Sequence, residues 1–177
     1  MKLPPLDPPA SLWTVGHSTH AIDAFLDILR AHGVTRVADV RRFPGSRRHP
    51  HFHPDALEGS LSAAGIAYTP MPELGGRRRP LADSPNVAWR NDAFRGYADY
   101  MDTPAFAAAA GELAAAARRD RVAVMCAEAV WWRCHRALIA DAFKSRGWTV
   151  LHLLGVGAPR EHPYTSAARV VDGELAY

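Results

Sequence analysis

Short apolar runs rich in β-branched residues alternate along this chain with segments of helical period, and that alternation leaves few folds open. Residues 12–15 end at Gly16 as a first strand. Ile22, Phe25, Leu26 and Leu29 follow at helical spacing, with Ser18 or Thr19 as N-cap and Gly33 as the stop. Residues 34–40 read as a second strand, 54–64 as a helix closed by Gly65, and 66–69 as a short third strand. Residues 94–101 are helical, and Thr103-Pro104 opens an Ala-rich helix reaching about Arg119, with Thr as N-cap and Pro in the first helical position. The run RVAVMC, residues 121–126, predicts a buried strand, 134–146 a helix, and 148–154 a final core strand. Near the end, Asp172-Gly173 between short apolar runs predicts a two-residue hairpin. The expectation is therefore an α/β fold. It is a single-domain three-layer sandwich over residues 12–177, with a mainly parallel sheet of about five strands, helices on both faces and a C-terminal β-hairpin. Residues 1–11, with four prolines, predict an extended Pro-rich arm.

No apolar run approaches the ~20 residues that span a bilayer, and the arm lacks the apolar core of a signal peptide, so no membrane partner and a cytoplasmic location are expected. In that compartment Cys126 and Cys134 read as thiols or ligands before they read as a disulfide. The net charge is only +3, but arginine carries nearly all the positive charge, since Lys2 and Lys144 are the only lysines.

In a parallel sheet with helices on both faces, ligands bind outside the carboxyl ends of the strands. That rule selects His17 and Ser18 after the first strand, Asp39 and Arg41 around the end of the second, Gly75 and Gly76 after the third, and Cys126 to Glu128 after the fourth. The segment 125–136, MCAEAVWWRCHR, concentrates most chemistry: a strand end, two cysteines, Trp131, Trp132, and a helix start at Cys134-His135-Arg136. A helix start offers unpaired N–H groups and the positive dipole end, which lowers the pKa of a nearby thiol and attracts anions.

Three readings follow. Cys126 or Cys134 is a thiolate nucleophile, with His135 or His17 moving protons and Glu128 or Asp39 orienting one of them. Alternatively Cys126, Cys134 and His135 bind zinc or iron, a reading the spacing favours less because it is no known finger. In the third, Arg41 and Arg136 with the helix start simply hold an anion. The plain alternative is a pair of buried core thiols. The cysteine-phosphatase loop, with Arg six residues after Cys, does not match, because residue 132 is Trp.

Between Asp39 and Asp55 lie four arginines, three histidines and no acid, interleaved with Phe43 and Phe52, a composition suited to a phosphate backbone and stacked bases. His49, His51 and His53 alternate in a way that could also serve a metal. Arg77-Arg78-Arg79 after the glycine pair forms a second basic stretch able to close over an anion.

Thr14-Val15-Gly16-His17-Ser18, Asp39-Val40-Arg41 with Pro44 and Ser46, Leu74-Gly75-Gly76, Cys126-Ala127-Glu128 and Cys134-His135-Arg136 occur in the same order in the bacterial family called domain of unknown function 488, which this chain resembles from Leu12 to its tail. The resemblance implies a compact α/β domain of the bacterial cytosol and implies no particular activity. Such proteins usually carry small, polar or acidic residues between the two cysteines. Here Val130-Trp131-Trp132-Arg133 intervenes, and the two tryptophans are expected to stack on a planar ligand or close the pocket. The function expected is an enzyme acting on an anionic, phosphate-bearing substrate, a nucleotide or nucleic acid among the candidates. The rival is a non-catalytic nucleic-acid-binding module using the arginine loops 41–48 and 77–79.

Overall fold

A computed structural model describes residues 10–45 and 47–177; the proline arm up to residue 9 and Ser46 lie outside the described residues. The elements run β1 (Ser11–Gly16), α1 (Ile22–Ala31), β2 (Arg36–Asp39), α2 (Pro54–Ala63), β3 (Ala67–Pro70), α3 (Asp92–Met101), α4 (Pro104–Arg119), β4 (Val122–Cys126), α5 (Arg136–Lys144), β5 (Thr149–Leu153) and β6 (Arg160–Glu161). A hairpin of β7 (Arg169–Val171) and β8 (Glu174–Ala176) follows. The main sheet has six strands in the order β3-β2-β4-β1-β5-β6. The first five strands are parallel and β6 is antiparallel to β5. The five parallel strands are those the periodicity predicts. The sixth is two residues long, too short to carry a period.

Alternation along each strand builds the three layers. Val122, Val124 and Cys126 of β4 face one core, shared with Phe106 and Leu113 of α4 and Leu138 and Ile139 of α5. Ala123 and Met125 face the other, shared with Phe25 and Leu29 of α1 and Leu57 and Leu61 of α2. Strand β4 is buried at every position, as a central parallel strand must be. Its register, Gly16 beside Cys126 and Asp39 beside Met125, aligns the carboxyl ends of β1, β2 and β4.

Two local expectations change. Helix α1 starts after Ala21 with no side-chain cap, because Ser18 occupies a left-handed turn at φ 47° and its N–H bonds the Ala127 carbonyl at 2.9 Å. Helix α5 begins two residues later than expected: Cys134 is extended, at φ −132° and ψ 148°, and a 3-10 turn over Trp131–Arg133 precedes it. The hairpin turns at Asp172 and Gly173, both with positive φ, as the sequence predicts.

A buried polar chain ties these parts together. Asp141 of α5, with no exposure, accepts from His162 Nε2 at 3.0 Å, the Thr165 N–H at 2.9 Å, the Thr165 hydroxyl at 2.6 Å and the Tyr177 hydroxyl at 3.0 Å. A carboxylate this deep is tolerated only because its lone pairs are taken up. Replacing Asp141 with Ala strands those donors and is expected to cost about 3–5 kcal/mol in urea unfolding. Tyr177→Phe, losing one bond to a charged acceptor, should cost about 1.5–3 kcal/mol.

Candidate functional site

The carboxyl ends of β1, β2 and β4 frame a cleft. Its inner part, about 200 Å³, is lined by Arg41, Arg42, Phe43, Gly76, Arg77, Cys126, Ala127, Glu128, Cys134 and His135. An outer part of about 550 Å³ shares Arg41, Phe43, Arg77, Ala127 and Glu128 and adds His17, Ser18 and His49. Residues chosen from four separate strand ends therefore meet in one place.

The two cysteines form its floor, and both are unbonded thiols. Their sulfurs lie 2.6 Å apart. Cys134 Sγ also faces His135 Nδ1 and the Arg136 N–H, each at 3.5 Å, at the start of α5. Burial alone would push the Cys134 thiol up. The hydrogen bond from Cys126, the charge and hydrogen bond of His135 and the charge of Arg136 outweigh burial and hold it well below its ordinary value. Cys126 goes the other way: burial, then the hydrogen bond and charge of Cys134, push it well above. Of the two sulfurs, Cys134 is thus the one whose surroundings favour negative charge, and Cys126 the one that burial keeps protonated.

His135 is fixed at both nitrogens. Its Nε2 lies 3.3 Å from the Val40 carbonyl, which can only accept, so Nε2 carries a proton. Donation from Nδ1 to the thiolate then requires the imidazolium form. Gly76 packs against this ring: a Cβ there would sit 2.8 Å from Nδ1. At Gly75 a Cβ would lie 2.6 Å from Arg42 Cβ. Both glycines are needed for close approach, and Gly76 opens the cleft above the histidine. Gly16 acts likewise below, where a Cβ would come within 1.8 Å of the Glu128 carbonyl.

On the opposite wall Asp39 grips Arg41 through two oxygens, Nε at 2.8 Å and Nη2 at 2.6 Å, and also accepts the Tyr68 hydroxyl at 2.8 Å. Arg41 Nη1 lies 3.2 Å from His17 Nε2, while His17 Nδ1 lies 3.0 Å from the Ser18 carbonyl. A guanidinium can only donate and a carbonyl only accept, so His17 is the neutral Nδ1–H tautomer. Burial beside Phe52, on which it stacks at 4.2 Å, lowers its pKa to about 4, the Ser18 bond opposing and the Arg41 charge assisting. His17 and Asp39 therefore orient Arg41 rather than stand free to move protons.

Other expected residues sit elsewhere. Arg136 is 1% exposed and lines neither cavity; its Nη2 donates to the carbonyls of Glu128 at 2.9 Å and Ala129 at 3.4 Å. It holds the cysteine loop from beneath, outside the lining of the cleft. Trp131 is buried in the core, stacked on His152 at 4.6 Å with 5° between the planes, and Trp132 is half exposed outside the cleft. Neither closes the pocket. Glu128 is exposed and lines both cavities. Among the described residues no three His, Cys, Asp or Glu side chains are placed to hold a metal ion; His51 Nε2 donates to the His20 carbonyl at 2.9 Å. No helix is long and apolar enough to cross a membrane among the described residues.

The family model for the domain of unknown function DUF488 matches residues 21–143. The chain belongs to this family. No curated protein and no solved structure matches it. The DUF488 match takes in Asp39, Arg41, both glycines, both cysteines and Arg136; His17 lies before it.

Beyond the end of the DUF488 match lie residues that sequence reasoning missed. His162 Nδ1 lies 2.9 Å from His152 Nε2, and His152 Nδ1 lies 2.6 Å from the Thr14 hydroxyl. With Asp141 accepting from His162, every proton has one consistent place if both rings are neutral. Burial, then the neighbouring His162 and Arg136, lowers the His152 pKa to about 2. A lone histidine inside the apolar run 148–154 was the available signal.

Both lowered histidines bind protons in the unfolded chain near pH 6.5 but stay neutral in the folded one until about pH 4 and about pH 2. Stability is thus complete above pH 6.5 and falls as the pH drops, by about 1.4 kcal/mol per unit for each histidine. Urea midpoints at pH 7.5 and pH 5 should show this loss, and His17→Gln should reduce it.

Proposed function

We propose that the cleft is the active site of a cysteine-dependent enzyme acting on an anionic substrate, for which a phosphate-bearing molecule such as a nucleotide suits an arginine cluster best. Cys134 is the nucleophile, His135 its charge partner and proton source, and Cys126 its S–H donor. Arg42 and Arg77, with the outward edge of Arg41, receive the anion; Ser18, Gly75 and Gly76 shape the walls. One observation carries this reading: in the floor of a basic cleft, Cys134 Sγ lies 2.6 Å from a second sulfur and 3.5 Å from both the His135 Nδ1 and the Arg136 N–H.

A second reading has its own support. Phe43 is 63% exposed, with Arg42 and Arg77 at 5.3 and 5.9 Å from its ring. An exposed ring between cations suits single-stranded nucleic acid.

Iodoacetamide alkylation across pH separates the two. The first reading expects Cys134 to react with an apparent pKa well below ~8.5, Cys134→Ala to abolish that reaction in a folded protein, and Cys126→Ala to raise the pKa by removing a donor. A thiol that titrates only above pH 8.5 ends that reading. Under the second, an oligonucleotide binds with steep salt dependence, Arg42→Ala and Arg77→Ala weaken it about tenfold or more together, and Cys134→Ala leaves it unchanged.

A further inference from the structure

We infer that Cys134 and Cys126 form a nucleophile–resolver pair that reduces an anionic disulfide in this cleft. The inference rests on the reading of Cys134 as the nucleophile and adds a reaction and a substrate class to it.

The geometry supplies the argument. Two sulfurs at 2.6 Å are already inside van der Waals contact, and a disulfide needs about 2.05 Å, so bond formation requires a shift of roughly half an ångström. A nucleophile acting alone needs a donor beside it, and a hydroxyl or N–H would serve. A second sulfur at this range supplies something those groups cannot, a leaving-group exchange partner.

The surroundings differ between the two in the sense an ordered exchange demands. Cys134 faces the His135 ring nitrogen and the Arg136 N–H at the helix start, whereas Cys126 faces the Glu128 carbonyl at 3.9 Å. Both cysteines line the inner cavity, and the absence of a side chain at Gly76 leaves room beside the His135 ring. Arg42 and Arg77 at the mouth favour a disulfide that carries anionic groups, phosphate or carboxylate.

The steps balance. The Cys134 thiolate attacks one sulfur of RSSR, forming Cys134–S–S–R and releasing RS⁻, which takes the Cys126 proton. Cys126 S⁻ then attacks Cys134 Sγ, the S–SR bond breaks, and the second RS⁻ takes the proton of the His135 imidazolium. The substrate is reduced to two RSH and the protein is oxidised to its Cys126–Cys134 disulfide. Any dithiol reductant reverses the protein half.

The test uses oxidised glutathione with the intact chain, read by whole-protein mass and by thiol titration after denaturation. The wild type should lose two hydrogens and both titratable thiols without accumulating a glutathione adduct, and dithiothreitol should restore both. Cys126→Ser should instead accumulate a mixed disulfide on Cys134, and Cys134→Ser should react neither way; circular dichroism confirms that each variant is folded. A wild type that stops at the Cys134 adduct overturns the resolver role while leaving the nucleophile in place. No reaction in the wild type or in Cys126→Ser overturns both readings. Substrate class is read from 2-hydroxyethyl disulfide, a neutral probe. It should react at least tenfold more slowly at low salt, with the gap closing at high salt and in Arg42→Ala/Arg77→Ala. Equal rates for the two disulfides overturn the anionic assignment.

Discussion

A guanidinium sealed beneath the cysteine loop is the constraint on which the rest of this structure turns. Arg136 opens α5, is almost wholly buried, and spends its Nη2 on the carbonyls of Glu128 and Ala129. A charge at that depth is costly unless something compensates it. Carbonyls that the loop turns inward meet Nη2 alone, Nε and Nη1 have no hydrogen-bond partner among the described residues, and the charge favours the anionic form of the neighbouring Cys134 sulfur. The loop can turn inward only because Gly16 leaves space for the Glu128 carbonyl. Cation, loop path and cysteine pair are thus one arrangement, and changing any of them changes the others.

The cleft divides its charges between built and available ones. Asp39 and His17 fix Arg41 in a pair with 8% and 1% side-chain exposure, so this cation is oriented and largely neutralised before any ligand arrives. Arg42 and Arg77 are exposed and have no carboxylate at hydrogen-bond distance among the described residues. The first kind sets geometry, because a bidentate fork hardly moves. The second sets attraction, which salt screens.

Much of this was legible in the sequence. The five parallel strands followed from apolar period, and the rule that ligands gather at strand ends selected His17, Arg41, Gly76 and Cys126, which meet around one cleft. What sequence could not supply was direction. Arg136 and Trp131 sit beside cleft residues in the chain, but helical and 3-10 phase turns both into the core. The histidines against Trp131, His152 and His162, come from other elements, and no local pattern links the α5 carboxylate Asp141 to histidines on and after β5. Nor could spacing say which cysteine is the more acidic. That depends on Cys134 being extended just ahead of the helix, so that its sulfur meets the Arg136 N–H.

Arg77 holds a left-handed backbone conformation, φ 59°, where a side chain is disfavoured by about 1–2 kcal/mol and glycine is not. Backbone and side chain make opposite demands at this position. The turn that brings the chain back over the cleft would form more easily around a glycine, yet a glycine would leave the mouth of the dithiol one cation short. The segment therefore carries strain at a residue that lines the cleft, and under the proposed function its resting shape is a compromise between folding and recognition.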